Sequence, residues 1–345
     1  MKTKILNPID LQDLNTQQML KQALISGSLV VFPTETVYGI GGYATLDTAA
    51  ESIYTAKGRP KDNPLIVHVA HFDQIEKYAY IDHSAVYTLA KAFWPGPMTL
   101  ILRKKDTIST SITGGLSTVA IRIPSHPIAR TLLEATGLPI AAPSANLSGK
   151  PSSTTFEHVL NDFDGIVDFI INGGDATIGL ESTVIDMTTE VPIILRPGSI
   201  TQVMLEQTLQ QLVLDQSETL INDIPKAPGM KYRHYAPVAI LHVVKGHPTK
   251  IKTYLQKQLK QDLSIAILGP SDIITLLNDG ILFDLGPLDD LNKIAFNLFS
   301  AFRQLDQLEI KKAYIIAIPE TGLGKAIMNR IMKAANHSVI DTDQL

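Results

Sequence analysis

Four polar segments carry the side chains best suited to chemistry. In Lys57-Gly58-Arg59-Pro60-Lys61-Asp62-Asn63, three cations fall within five positions on a turn stiffened by proline. An Arg fork and a Lys point charge on such a turn suit a polyanion such as a triphosphate. The plainer reading is a helix C-terminus whose dipole favours cations at a solvated surface. The run Pro33-Thr34-Glu35-Thr36-Val37-Tyr38-Gly39-Ile40-Gly41-Gly42 leads from hydroxyls into glycines. Its glycines let backbone approach a ligand closely and Thr34, Thr36 and Tyr38 offer donors, although an ordinary Gly-rich loop reads the same way. Ser144 and Asn146 alternate out of an apolar strand, and Ser148 and Ser152 follow in a turn; alone, this is a common Ser/Asn turn. Ser182 and Arg196 sit on what read as adjacent strands that meet at one edge. Arg122, inside an apolar strand, needs an anion or carboxylate partner if it points inward.

These residues have to be positioned by the elements around them. Apolar spacing predicts a helix over 11–25, further helices over 47–57 and 126–135, and strands over 29–32, 64–70, 98–103, 118–123, 139–142, 169–172, 182–187 and 192–195. Together they form one large mixed sheet with helices, and the polar segments fall at strand ends, where open α/β sheets place ligands. After a helix over 202–213 the pattern changes. Residues 215–237 are polar and Pro-rich and include Pro-Gly-Met-Lys-Tyr-Arg-His-Tyr-Ala-Pro. A plain linker would be small and polar, whereas these tyrosines and cations are suited to gripping something. From 238 onward strands and helices alternate, which predicts a smaller parallel, Rossmann-like sheet. The expected organisation is therefore a domain over 1–214, an ordered linker over 215–237 and a second domain over 238–345.

Composition narrows the classes. The chain has 345 residues, 45% of them hydrophobic and 19% charged, with a net charge of −4. That balance is globular and argues against binding nucleic acid by bulk positive charge. With no cysteine, disulfides, thiolate zinc sites, iron–sulfur ligation and a Cys nucleophile are excluded. No apolar run reaches the roughly 18 residues of a membrane span and the opening residues are polar, so a cytoplasmic protein is expected. There is no Walker A motif, because Pro151 follows Lys150 where Ser or Thr is required. Gly39-x-Gly41-x-x-Ala44 lies too far beyond its strand for a dinucleotide fingerprint. His68 and His71 should not share a face for metal binding.

Taken together, the segments resemble the threonylcarbamoyl-AMP synthase family, whose YrdC-like domain pairs a Lys-x-Arg with a Ser-x-Asn motif. Both are present, as Lys57-Gly58-Arg59 and Ser144-Ala145-Asn146, with family-like Pro-Thr-Glu-Thr-Val-Tyr-Gly and Ser-Thr-Val-Ile-Asp runs. The resemblance continues through 228–237 and the tail segment 322–330, as in the two-domain form. It implies a nucleotidyltransferase that joins L-threonine, bicarbonate (as CO2) and ATP into threonylcarbamoyl-adenylate, releasing pyrophosphate. The adenylate then passes to a transferase that modifies the tRNA adenosine next to the anticodon. Mg2+ would travel on the triphosphate rather than in a protein cage.

By the same resemblance, Thr36, His68, Arg122, Ala142 and Ser182 would hold threonine, Arg122 pairing with its carboxylate. Lys57, Arg59, Asn63, Thr118, Ser144, Asn146, Ser152 and Arg196 would surround ATP, with Lys57 and Arg59 carrying catalysis. Tyr235 in the linker would reach back onto the nucleotide, making the linker a lid. For His68, a structural histidine is an equal alternative. Two other functions stay open from sequence: a carbamoyltransferase using a carbamoyl-adenylate, and an RNA-binding module, the latter weakened by the acidic net charge. Weak or no direct tRNA binding and no membrane association are expected.

Overall fold

The computed structural model describes residues 2–61, 63–217 and 235–345. Of the expected linker 215–237, the stretch 218–234, with Tyr232, Arg233 and His234, lies outside the described residues. The described chain falls into two compact units, the second of which also takes Gly149–Ser152 and Ile178–Leu180 from the earlier part of the sequence.

In the first unit the strands are β1 (Lys4–Leu6), β2 (Val30–Phe32), β3 (Gly39–Tyr43), β4 (Ile66–His68), β5 (Ala79–Tyr80), β6 (Met98–Lys104), β7 (Thr118–Arg122), β8 (Ile140–Ala142), β9 (Phe169–Ile171), β10 (Thr183–Asp186), β11 (Ile193–Arg196) and β12 (Leu214–Asp215). They join into one mixed sheet in the order β1-β9-β2-β3-β8-β4-β7-β6-β10-β11-β12, with β5 paired to β6. Successive side chains of a strand point to opposite faces, and here both faces are covered. Val31 and Ala141 enter one apolar cluster, whereas Val30, Phe32, Ile140 and Ala142 enter another. A sheet buried on both sides explains the unbroken apolar runs that mark these strands in the sequence.

Two departures from the sequence reading have local causes. The helix expected over 11–25 is a 3-10 turn, Pro8–Gln12, followed by a helix over Leu14–Ile25, because Asp13 breaks the run and caps the second piece by accepting from the Thr16 N–H at 2.9 Å. The glycines after Tyr38 form a strand, β3, rather than a loop, pairing antiparallel with β2. Their role is close packing: a Cβ on Gly41 would lie 2.5 Å from Ile140 Cγ2. The unit also holds helices over Asp47–Lys57, Ala85–Phe93, Pro127–Thr136, Phe156–Phe163 and Gln202–Leu209, the last of them shorter than the expected 202–213.

The second unit holds β13 (Ile240–Lys245), β14 (Ala266–Gly269), β15 (Ile281–Asp284), β16 (Lys312–Ile316) and β17 (Val339–Asp341) in one sheet ordered β15-β14-β16-β13-β17. Every pairing in it is parallel, as alternating strands and helices require. No helix among the described residues is long and apolar enough to cross a membrane.

Candidate active site

The first unit gathers one polar cluster at the ends of β4, β7 and β6. Ladder register sets His68 beside Arg122 and Arg122 beside Thr99, so three side chains of like orientation line up across adjacent strands. Arg122 is buried, with its guanidinium held on three sides. Nε donates to the Gly96 carbonyl at 3.3 Å, Nη1 donates to Thr36 Oγ1 at 2.8 Å, and Nη2 lies 2.6 Å from Glu35 Oε1. The carboxylate that a strand Arg demands is thus supplied from within the protein. Burial alone would push the Glu35 carboxyl up, but the charge of Arg122 and the hydrogen bonds it receives hold it below its ordinary value. His68 is also buried, its Nδ1 3.1 Å from the Ile66 carbonyl, and burial and the neighbouring Arg122 push its pKa down to about 3. At neutral pH it is an uncharged imidazole.

Ser182, just before β10, joins this cluster through Thr99, with the two hydroxyls 2.7 Å apart. The β10–β11 hairpin delivers Arg196 to the same point, where Nε donates to the Ser182 carbonyl at 3.0 Å and Nη2 to its hydroxyl at 3.1 Å. Thr36, His68, Arg122, Ser182 and Arg196 are therefore brought together.

A second cluster forms where the helix Asp47–Lys57 ends. Gly58 takes the left-handed conformation that terminates it, at φ 62°. The Lys57 ammonium is buried and donates to the carbonyls of Ser144, at 2.6 Å, and Asn146. Ser144 Oγ in turn donates to Asn146 Oδ1 at 2.6 Å. Arg59 turns back toward the carbonyls of Asn63 and Pro64, at 3.4 and 3.5 Å. Asn63 is fully buried, yet among the described residues neither its Oδ1 nor its Nδ2 finds a hydrogen-bond partner. Buried amides are rarely left so; the arrangement fits a ligand that supplies the missing partner. The two clusters are connected through the segment 34–39. Gly39 bridges Ser144, and the Ala145 N–H donates to the Tyr38 carbonyl.

The remaining candidates lie elsewhere. Thr118 opens β7, four positions before Arg122 on the same face. Ala142 pairs with Ile66 at the end of β4 away from His68. Ser152 is buried in the 149–152 segment of the second unit, where Arg303 Nη2 donates to the neighbouring Pro151 carbonyl at 2.8 Å. Tyr235 belongs to the second unit as well. Its backbone has φ 67°, and its ring stacks on Phe299 at 5.4 Å with the Arg330 guanidinium 5.8 Å away. The tail segment 322–330 thereby contributes to fixing this tyrosine.

Two donors read from the sequence are spent on structure. The Tyr38 hydroxyl donates to the Gly174 carbonyl at 2.7 Å and Thr34 Oγ1 to the Val37 carbonyl at 2.5 Å. Conversely, Glu35, Thr99 and the Gly96 carbonyl were missed. Glu35 stood in a singled-out segment, and the demand of Arg122 for a carboxylate was the signal that could have found it. Thr99 carries no such signal, since threonine in a strand is ordinary.

Among the described residues no group of His, Asp and Glu side chains is arranged to hold a metal ion. The profile of Sua5, YciO and YrdC proteins, described as telomere recombination, matches residues 22–198. A profile described as threonylcarbamoyl-AMP synthase, C-terminal domain, matches 200–336. The threonylcarbamoyl-AMP synthase of Bacillus subtilis (strain 168) is 42% identical over 345 residues, covering 99% of this chain and 100% of its own. That of Pyrococcus abyssi is 43% identical over 319 residues, covering 91% and 92%. The crystal structure of P. abyssi Sua5 complexed with L-threonine aligns with a TM-score of 0.90 at 41% identity, covering 98% of this chain and 99% of that one. Both sequence halves, the paired Lys57–Arg59 and Ser144–Asn146 motifs and the two-unit fold place this chain in the threonylcarbamoyl-AMP synthase family.

Proposed function

We propose that this chain is a nucleotidyltransferase that makes L-threonylcarbamoyl-adenylate from L-threonine, CO2 derived from bicarbonate, and ATP, with release of pyrophosphate. The observation that carries this reading is the Lys57 ammonium seated on the carbonyls of Ser144 and Asn146. It unites the cationic turn, including the unpartnered Asn63 amide, with the Ser-x-Asn loop, while segment 34–39 leads from that loop to Arg122.

The chemistry asks for positioning and charge stabilisation rather than a protein nucleophile. The threonine ammonium gives up a proton to water, and the resulting amine forms a bond to the carbon of CO2 and loses a second proton to water, giving a carbamate. A carbamate oxygen then bonds to the α-phosphorus of ATP as the bond to the β-phosphate oxygen breaks, and pyrophosphate leaves. Lys57, Arg59 and Arg196 are assigned to the phosphates, where they offset charge on the leaving group. Asn63, Ser144 and Asn146 take up polar groups of the nucleotide, with Thr118 as a further nucleotide contact. Thr36, Arg122 and Ser182 hold the amino acid. His68, neutral and buried, shapes the pocket without transferring protons. Mg2+ would arrive as the ATP salt and offset part of the triphosphate charge. The product serves a tRNA threonylcarbamoyltransferase, which places the activity in the cytoplasm. Purified protein incubated with ATP and bicarbonate should release pyrophosphate only when threonine is added; release that ignores threonine would sink the proposal.

A further inference from the structure

The Glu35–Arg122 pair has a consequence for what the amino-acid pocket accepts. Both side chains are buried, at 7% and 4% side-chain exposure, and their charges cancel at 2.6 Å. Glu35 is itself fixed, because its Oε2 accepts the Ser125 N–H at 3.1 Å. Three contacts then define Arg122: Gly96, Thr36 and Glu35. A guanidinium has five N–H donors, so it keeps donors for a carboxylate while its charge is already neutralised. Two histidines, His68 and His126, feel the charge of Glu35, and burial lowers the pKa of both.

A bare carboxylate brought here would place two anions around one buried cation. Taking an unbalanced charge out of water is strongly unfavourable. A zwitterion brings its own ammonium and leaves the sum at zero. We propose that Glu35 is a positioning and specificity residue: by clamping and neutralising Arg122 it makes the pocket select an α-amino acid zwitterion over a simple carboxylate anion. Discrimination of this kind comes from an element that penalises the wrong ligand as well as from contacts to the right one. The inference rests on the threonine-using reading above.

The test uses the full chain and (R)-3-hydroxybutanoate, which keeps the carboxylate and hydroxyl of threonine but lacks the ammonium. Calorimetric titration of the unmodified protein should show this anion binding at least 100-fold more weakly than threonine; affinities within tenfold of each other overturn the proposal. In Glu35→Gln, the KM for threonine should rise at least tenfold with the KM for ATP changed less than threefold. The preference for threonine over the anion should also shrink at least tenfold. Equal loss of both ligands in a folded Glu35→Gln protein marks a purely structural role and overturns the proposal. If that variant does not fold, the titration of the unmodified protein decides. Discrimination by calorimetry without threonine-dependent pyrophosphate release would instead remove the reaction and leave charge selection standing.

Discussion

Lys57 and Ser144, 87 positions apart in the chain, meet through a hydrogen bond of 2.6 Å from the ammonium to the carbonyl oxygen. A helix end and a strand-exit loop are thereby fixed to one another at a buried point. Two backbone carbonyls, those of Ser144 and Asn146, hold the cation at this point. Hydrogen bonds from a charged donor contribute about 1.5–3 kcal/mol each.

Lys57→Ala should accordingly damage both stability and turnover. Removing the ammonium leaves two buried carbonyls without this donor, at a cost of about 1–3 kcal/mol for each unsatisfied group. Thermal unfolding should show a lower Tm, and pyrophosphate release should fall at least 100-fold. A variant with unchanged Tm and near-normal turnover contradicts the assignment.

Asn63→Ala should behave in the opposite way toward stability. Neither polar atom of the side chain has a partner among the described residues, so the variant forfeits no hydrogen bond to them and sheds a buried amide. Unfolding should be unchanged or slightly improved, while the KM for ATP rises at least tenfold. A clear loss of stability with an unaltered KM would show that the amide serves the fold instead.

How much of this was legible beforehand divides along range in sequence. The strands carried their apolar runs openly, and Lys57, Arg59, Ser144 and Asn146 stood out by type and spacing. Glu35 did not, because its role depends on Arg122, 87 positions away, and nothing local distinguishes it from a surface acid. The Gly39–Gly42 run read as a loop because glycine has low strand propensity; only the neighbouring strand's Ile140 shows why a side chain is forbidden there. Tyr38 looked like a ligand donor until Gly174 proved to be its partner.

Gly41→Ala tests that packing. A methyl group 2.5 Å from Ile140 Cγ2 and 3.1 Å from the Phe32 ring overfills a core, which costs about 1–3 kcal/mol. Chemical denaturation should give a lower midpoint with the slope unchanged; an unaffected midpoint would mean the strand can spread.

His68 makes stability depend on pH in a definite direction. Its pKa is about 3 when folded, against 6.5 as its ordinary value. Between those values the unfolded chain binds the proton and the folded one does not, so stability is greatest above pH 6.5 and declines as pH falls toward 3. His68→Gln should flatten this part of the stability curve. Near neutral pH, kcat/KM should show no ionisation attributable to His68; a titration near 6.5 abolished by His68→Gln would contradict the uncharged assignment.

In the proposed reaction threonine nitrogen, bicarbonate carbon and the α-phosphate of ATP end in one molecule. Mass spectrometry of a reaction run with 13C-bicarbonate tests it most directly. The product should be an adenylate containing threonine and one 13C atom, formed one-to-one with pyrophosphate. Unlabelled threonyl-adenylate, or ADP and phosphate in place of pyrophosphate, would contradict it.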